Sequence, residues 1–157
     1  MPPELGSIAP DFTLPDQDRR PVTLSAELKD GPVLLAFFPG AFSDTCTQEI
    51  CTLRDSLHAA GNVPGRVIGV SVDTFFALKA WATAQGITFP LLSDFNKTVI
   101  YQYGVVNEDM IGLKNIAKRA VFVIDCDGRI RHREILDDAR IEPDYAKVRD
   151  AMAVLGA

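Results

Sequence analysis

Two short runs of almost unbroken apolar residues, Val33 to Phe38 and Val67 to Val72, constrain this chain more than any other feature. A strand with one wet face alternates apolar and polar residues. A strand covered on both faces reads as a continuous apolar run and belongs to a sheet with helices on either side. The intervening and following segments carry helical spacing. The sequence therefore predicts an α/β domain with a central sheet flanked by helices. With 157 residues, a single domain over 1–157 is expected. No repeat, low-complexity tract or long linker divides it.

The remaining elements follow from local signals. Phe12-Thr13-Leu14 and Val22-Thr23-Leu24 flank the polar stretch Asp16 to Arg20 and read as an N-terminal β-hairpin. Asp73 is placed to cap a helix over Thr74 to Gln85, which Gly86 stops. Phe89 to Leu92 is a short strand, and Lys97 to Tyr103 a helix ending at Gly104. Ala120 to Ile124 and Arg129 to Ile135 flank Asp125-Cys126-Asp127-Gly128, where Gly128 supplies the positive φ of a tight hairpin. A last helix follows Pro143, with Val148, Met152 and Leu155 inward. The expected order is a hairpin, then β-α-β-α-β-α-β-β-α, giving a mixed sheet. Phe75, Phe76 and Trp81 could be core or a partner surface, and helical spacing favours core.

Charge and composition exclude several functions. The formal net charge is −5, and phosphate binding needs clustered Lys and Arg, so no nucleic-acid partner is expected. The densest basic group, Arg129 to Arg133, is interrupted by Ile130 and His132 and reads as a solvated strand face. No apolar run approaches the ~18–20 residues of a membrane span. The first residues lack a signal-peptide pattern, so the cytoplasm is the expected location. Three cysteines are too few for a secreted disulfide scaffold. His58 and His132 form no zinc spacing with the cysteines. They read as a polar-face helix residue and a strand residue. The Gly61 to Gly65 segment has no phosphate-loop pattern, and no flavin or nucleotide motif is present. Cofactor-independent chemistry is expected.

The chemistry concentrates in Phe37 to Asp55. A buried strand ends at Pro39, a loop with Gly40 and Ser43 follows, and a helix begins near Thr45. Cys46, Ile50, Leu53 and Leu57 recur at helical spacing. Cys46 thus falls in a helix's first turn, beyond the carboxyl end of a central strand, where open α/β sheets place their sites. The unpartnered N–H groups of a first turn favour a thiolate over a thiol, and the thiolate is the nucleophile. A buried cysteine packing as a small hydrophobe is the bland alternative.

Pro39, Ser43 and Cys46 fit P-x-x-x-(T/S)-x-x-C, and the chain here resembles the peroxiredoxin family. Cys46-Thr47-Gln48-Glu49-Ile50-Cys51 resembles its Q-type, bacterioferritin-comigratory-protein-like group. Ala9 to Leu14 is similar to the family's first hairpin. Arg119 to Asp125 is similar to the strand that supplies its active-site arginine. The resemblance implies a thioredoxin-like fold and a thiol-dependent peroxidase acting on hydrogen peroxide and organic hydroperoxides. It implies Cys46 as the peroxidatic nucleophile and Arg119 as a donor to the thiolate and transition state. Ser43 would bind the peroxide, Pro39 would shape and shield the loop, and Glu49 would hold the arginine or the loop. As a first-turn acid, Glu49 would also simply suit the helix dipole. A thioredoxin-like protein is the implied reductant, and family members occur as monomers or homodimers.

Attack on a peroxide leaves a sulfenic acid, which condenses with a thiol. Cys51 is the leading resolving thiol. In an intact helix, residues five apart have Cα atoms ~8–9 Å apart, beyond the ~7 Å reach of a disulfide. A Cys46–Cys51 bond therefore requires the helix start to unwind. If Cys51 is only a half-buried helical residue, an external thiol resolves a one-Cys enzyme. Cys126 is expected to be an exposed bystander, because its flanking carboxylates oppose a thiolate. A thiol–disulfide oxidoreductase is disfavoured by the missing C-x-x-C spacing. A redox-sensing or chaperone-like protein on the same scaffold is the non-enzymatic alternative.

Overall fold

The computed structural model describes residues 1–58 and 65–155, with the side chains of residues 57 and 58 outside the description. Gly61 and the side chains of Leu57 and His58 thus lie outside the described residues.

The first hairpin pairs β1 (Thr13–Pro15) with β2 (Pro21–Thr23), Leu14 opposite Val22. A short α1 (Leu24–Glu27) and a 3-10 turn (Leu28–Asp30) lead into β3 (Val33–Phe37), every residue of which is buried. Then come α2 (Asp44–Leu53), β4 (Arg66–Ser71), α3 (Phe75–Gln85), β5 (Leu91–Ser93) and α4 (Thr98–Gln102). A second hairpin, β6 (Val106–Met110) with β7 (Leu113–Ala117), precedes β8 (Arg119–Ile124), β9 (Ile130–Leu136) and α5 (Tyr145–Leu155).

The central sheet has the order β5-β4-β3-β8-β9. β3, β4 and β5 are parallel, while β8 runs antiparallel to β3 and to β9. This is the expected mixed sheet, and it is covered on both faces. Leu34, Ala36 and Phe38 pack with Ile50 and Leu53 of α2, Leu78 and Trp81 of α3, and Val148 and Met152 of α5. Val33, Leu35 and Phe37 pack on the other face with Leu24, Ile100 and Tyr103. Leu155 is partly buried against the α5 side. Two-sided burial is the physical reason that Val33 to Phe38 carries no polar residue.

Several expectations need correction. Thr74, not Asp73, caps α3, its side chain accepting from the Ala77 N–H. Asp73 is committed elsewhere, as shown below. The strand expected at Phe89 to Leu92 is shifted to Leu91–Ser93. The helix expected to run to Leu57 leaves α geometry after Leu53 and finishes as a π turn over Arg54–His58. Trp81 is fully buried, but Phe75 is half-buried and Phe76 exposed. The two phenylalanines sit in the first turn of α3 and stack edge-on against each other instead. Arg129 and Arg133 do not simply face solvent, since they donate to the Gly6 and Pro3 carbonyls of the N-terminal segment. The β6–β7 hairpin was not legible. Its turn residues Ile111 and Gly112 both have positive φ, 50° and 90°. Tight hairpin turns of that geometry ordinarily announce themselves with Asn-Gly or Asp-Gly.

Candidate active site

The site forms where β3 ends. Ser43 stands at the N-cap of α2, so Cys46 occupies the helix's first turn, as the spacing predicted. Its side chain is fully buried. Because β8 is antiparallel to β3, the start of β8 lies beside the end of β3, with Phe37 opposite Ala120. This brings Arg119 to Cys46 across 73 residues of sequence, its Nη2 3.2 Å from Sγ.

Arg119 is held on every side. Its Nη1 donates to Glu49 Oε1 at 2.7 Å. Its Nε and Nη2 donate to the Ala139 carbonyl at 3.1 and 2.9 Å. Burial works against the guanidinium's charge, but Glu49 and Cys46 outweigh it and raise its pKa above the ordinary arginine value. The planar fork suits three acceptors at once, which an ammonium on a flexible stem would not.

Glu49 lies on the inner face of α2, fully buried. Burial pushes its carboxyl up from 4.5 to about 7, and the attraction of Arg119 only partly offsets that. Its Oε2 is a buried oxygen with no hydrogen-bond partner among the described residues. A neutral carboxylic acid tolerates that setting better than a carboxylate does.

Above these groups opens a cavity of 670 Å³, lined among others by Pro39, Ser43, Thr45, Met110, Ile111 and Arg119. Cys46 does not line it. The cavity reaches Cys46 through its neighbour Thr45 and its partner Arg119. Ser43 Oγ donates to the Gly40 carbonyl at 2.8 Å, leaving its lone pairs open to an incoming donor. Pro39, Ser43, Cys46, Glu49 and Arg119 therefore converge.

Cys51 does not join them. It is half-buried one turn further along α2, and its Sγ donates to Gln85 Oε1 of α3 at 3.4 Å. Cys46, Cys51 and Cys126 are all free thiols, and Cys126 is exposed in the β8–β9 loop. His132 lies on β9, 2.9 Å from Glu134. Sequence reasoning missed the Ala139 carbonyl and the hairpin wall at Met110 and Ile111. A backbone acceptor leaves no mark on residue identity, and Gly112 was the hairpin's one local signal.

The AhpC/TSA family model matches residues 5–133. The chain is 41% identical over 155 residues to alkyl hydroperoxide reductase E of Mycobacterium tuberculosis, covering 98% of each chain. It is 37% identical over 139 residues to peroxiredoxin Bcp of Escherichia coli, covering 87% of each. The crystal structure of peroxidoxin BcpB from M. tuberculosis superposes with a TM-score of 0.83 at 35% identity, covering 98% of this chain and 96% of that one. A peroxiredoxin-like protein from Aquifex aeolicus, at 24% identity, shares the fold with a TM-score of 0.87, over 99% of this chain and 89% of that one.

A mixed sheet of this order and its solved neighbours define a thioredoxin-like fold. The chain belongs to the AhpC/TSA family of peroxiredoxins, with relatives in its Bcp-like group. It is a thiol-dependent peroxidase, using a hydroperoxide substrate and a thiol reductant.

Proposed function

We propose that Cys46 is the nucleophile of this peroxidase. The observation that carries the reading is the buried Cys46 Sγ, in the first turn of α2, with a fixed Arg119 N–H donor at 3.2 Å. The thiolate attacks one peroxide oxygen, so an S–O bond forms as the O–O bond breaks. The departing alkoxide or hydroxide takes a proton, and Cys46 becomes a sulfenic acid. Negative charge moves from sulfur to the departing oxygen, where fixed donors count most. Arg119 supplies such donors, Glu49 and the Ala139 carbonyl keep it aimed, Ser43 receives the peroxide O–H, and Pro39 walls the thiolate from water.

Hydrogen peroxide and organic hydroperoxides are the proposed substrates. The name of the M. tuberculosis relative, an alkyl hydroperoxide reductase, and the apolar wall at Met110 and Ile111 support the organic class. Cys51 then displaces water from the sulfenic acid to form a disulfide, which a thioredoxin-like dithiol reduces. Both cysteines lie within the regular part of α2, so this step needs the first turns of the helix to open. Because Cys51 is docked on Gln85, slow opening favours a second reading, in which an external thiol resolves Cys46. One domain acting in the cytoplasm, as a monomer or homodimer, completes the proposal. Among the described residues, no helix is long and apolar enough to cross a membrane.

The test couples peroxide consumption to thioredoxin, thioredoxin reductase and NADPH. Wild type is expected to turn over steadily and Cys46→Ser not at all. Cys51→Ser is expected to lose thioredoxin turnover while still being oxidised once. Full turnover by Cys51→Ser would favour the external-thiol reading, and full turnover by Cys46→Ser would overturn the proposal.

A further inference from the structure

One peptide unit in the loop between β3 and α2 is gripped at both ends. Its N–H, belonging to Ala41, donates to Asp73 Oδ2 at 2.8 Å. Its carbonyl, belonging to Gly40, accepts from Ser43 Oγ at 2.8 Å. A peptide unit is planar, so fixing the direction of its N–H fixes the direction of its carbonyl. Asp73 is itself anchored to the ends of two central strands. Its Oδ2 also accepts from Ser71 Oγ, at 2.7 Å, and its own carbonyl accepts from Ser93 Oγ at 2.6 Å. Both serines are buried. The next loop residue, Phe42, is held at φ 68°. A phenylalanine does not adopt that left-handed conformation by local preference, so contacts from outside the loop must impose it.

We infer that Asp73 is a positioning residue for the peroxide reaction. Through the Gly40–Ala41 peptide it turns the Ser43 hydroxyl proton onto the Gly40 carbonyl. The oxygen's lone pairs are thereby kept for the O–H of the bound hydroperoxide. A carboxylate on the N–H end also polarises the peptide and makes its carbonyl a better acceptor. The inference rests on Cys46 as nucleophile and Ser43 as the peroxide's acceptor. It gives Asp73 a role at a distance, with no contact to substrate. Asp73 stands one residue before Thr74, the N-cap of α3, and its Oδ2 serves the β3–α2 loop instead.

The test is a double-mutant cycle read on two reactions of Cys46: oxidation by hydrogen peroxide and alkylation by iodoacetamide. Alkylation needs the thiolate but no acceptor at Ser43. Asp73→Ala is expected to slow oxidation about tenfold, while alkylation stays within about twofold. Asp73→Asn, whose amide oxygen can still accept from Ala41, is expected to recover all but about threefold. On a Ser43→Ala background, Asp73→Ala is expected to add nothing, because the group it positions is gone. An undiminished tenfold loss on that background would overturn the inference. So would an equal loss of alkylation, or an unchanged oxidation rate. If Asp73→Ala does not fold, Asp73→Asn takes its place, and its smaller loss must likewise vanish with Ser43→Ala. Full peroxidase activity in Cys46→Ser would bring down the underlying reading, a result separate from any outcome at Asp73.

Discussion

Replacing Glu49 with Gln should change how the stability of this protein depends on pH. In the native state burial holds the Glu49 carboxyl at about 7, against 4.5 in an exposed chain. Between those values the native state binds the proton and the unfolded state has released it. Raising the pH therefore favours unfolding. The contribution is full below about 4.5 and is lost as pH rises through about 7. A displacement of that size corresponds to ~3 kcal/mol, at ~1.4 kcal/mol per pH unit. Gln keeps an oxygen for the Arg119 donor and cannot ionise. Other carboxylates act in the opposite sense, such as Asp138, which Arg140 holds down at about 2. The informative quantity is therefore wild type minus Glu49→Gln. Urea unfolding of the reduced proteins, followed through the single and fully buried Trp81, would be measured from pH 4.5 to 8. Wild type is expected to lose ~3 kcal/mol relative to the variant across that range. A flat difference, or wild type gaining with pH, would rule out a raised Glu49 pKa. A flat difference would mean that Arg119 fully offsets burial, and a gain with pH that it outweighs burial.

Three further outcomes are expected. Arg119→Lys cannot serve Glu49, Cys46 and the Ala139 carbonyl together, so stopped-flow oxidation of Cys46 should slow by roughly 10²–10³. Ile111→Gly relieves a β-branched residue from φ 50° at an exposed hairpin tip, and thermal unfolding should show a gain of about 1 kcal/mol. Gly65→Ala should do the reverse, with a loss above about 3 kcal/mol by urea unfolding. Its φ is 88°, and a Cβ there would lie 2.0 Å from the Pro32 carbonyl oxygen.

The sequence exposed what repeats or carries unusual composition. Two-sided burial made β3 and β4 visible, helical spacing put Cys46 in the first turn of α2, and Gly128 announced the β8–β9 turn. Arg119 could be named only by resemblance, because its partnership with Cys46 depends on β8 running antiparallel to β3, and periodicity does not fix strand order. The β6–β7 hairpin was hidden because Ile111 occupies a position that ordinarily calls for Asn or Asp. Asp73 misled for a related reason. By local rules it is a good cap, but Thr74 can do that work too, and the fold delivers the Ala41 N–H to Asp73 from 32 residues away. Phe76 shows the limit of hydrophobicity alone: α3 has one inward face, and Leu78 and Trp81 occupy it.

The central claim is that Cys46 is the peroxide's first target. The most direct measurement treats the fully reduced protein with one equivalent of hydrogen peroxide, quenches within seconds and maps the three thiols by mass spectrometry. A Cys46–Cys51 disulfide, absent in Cys46→Ser, would bear out both the nucleophile and the opening of α2. Peroxide consumed while Cys46 remains a free thiol would contradict the account.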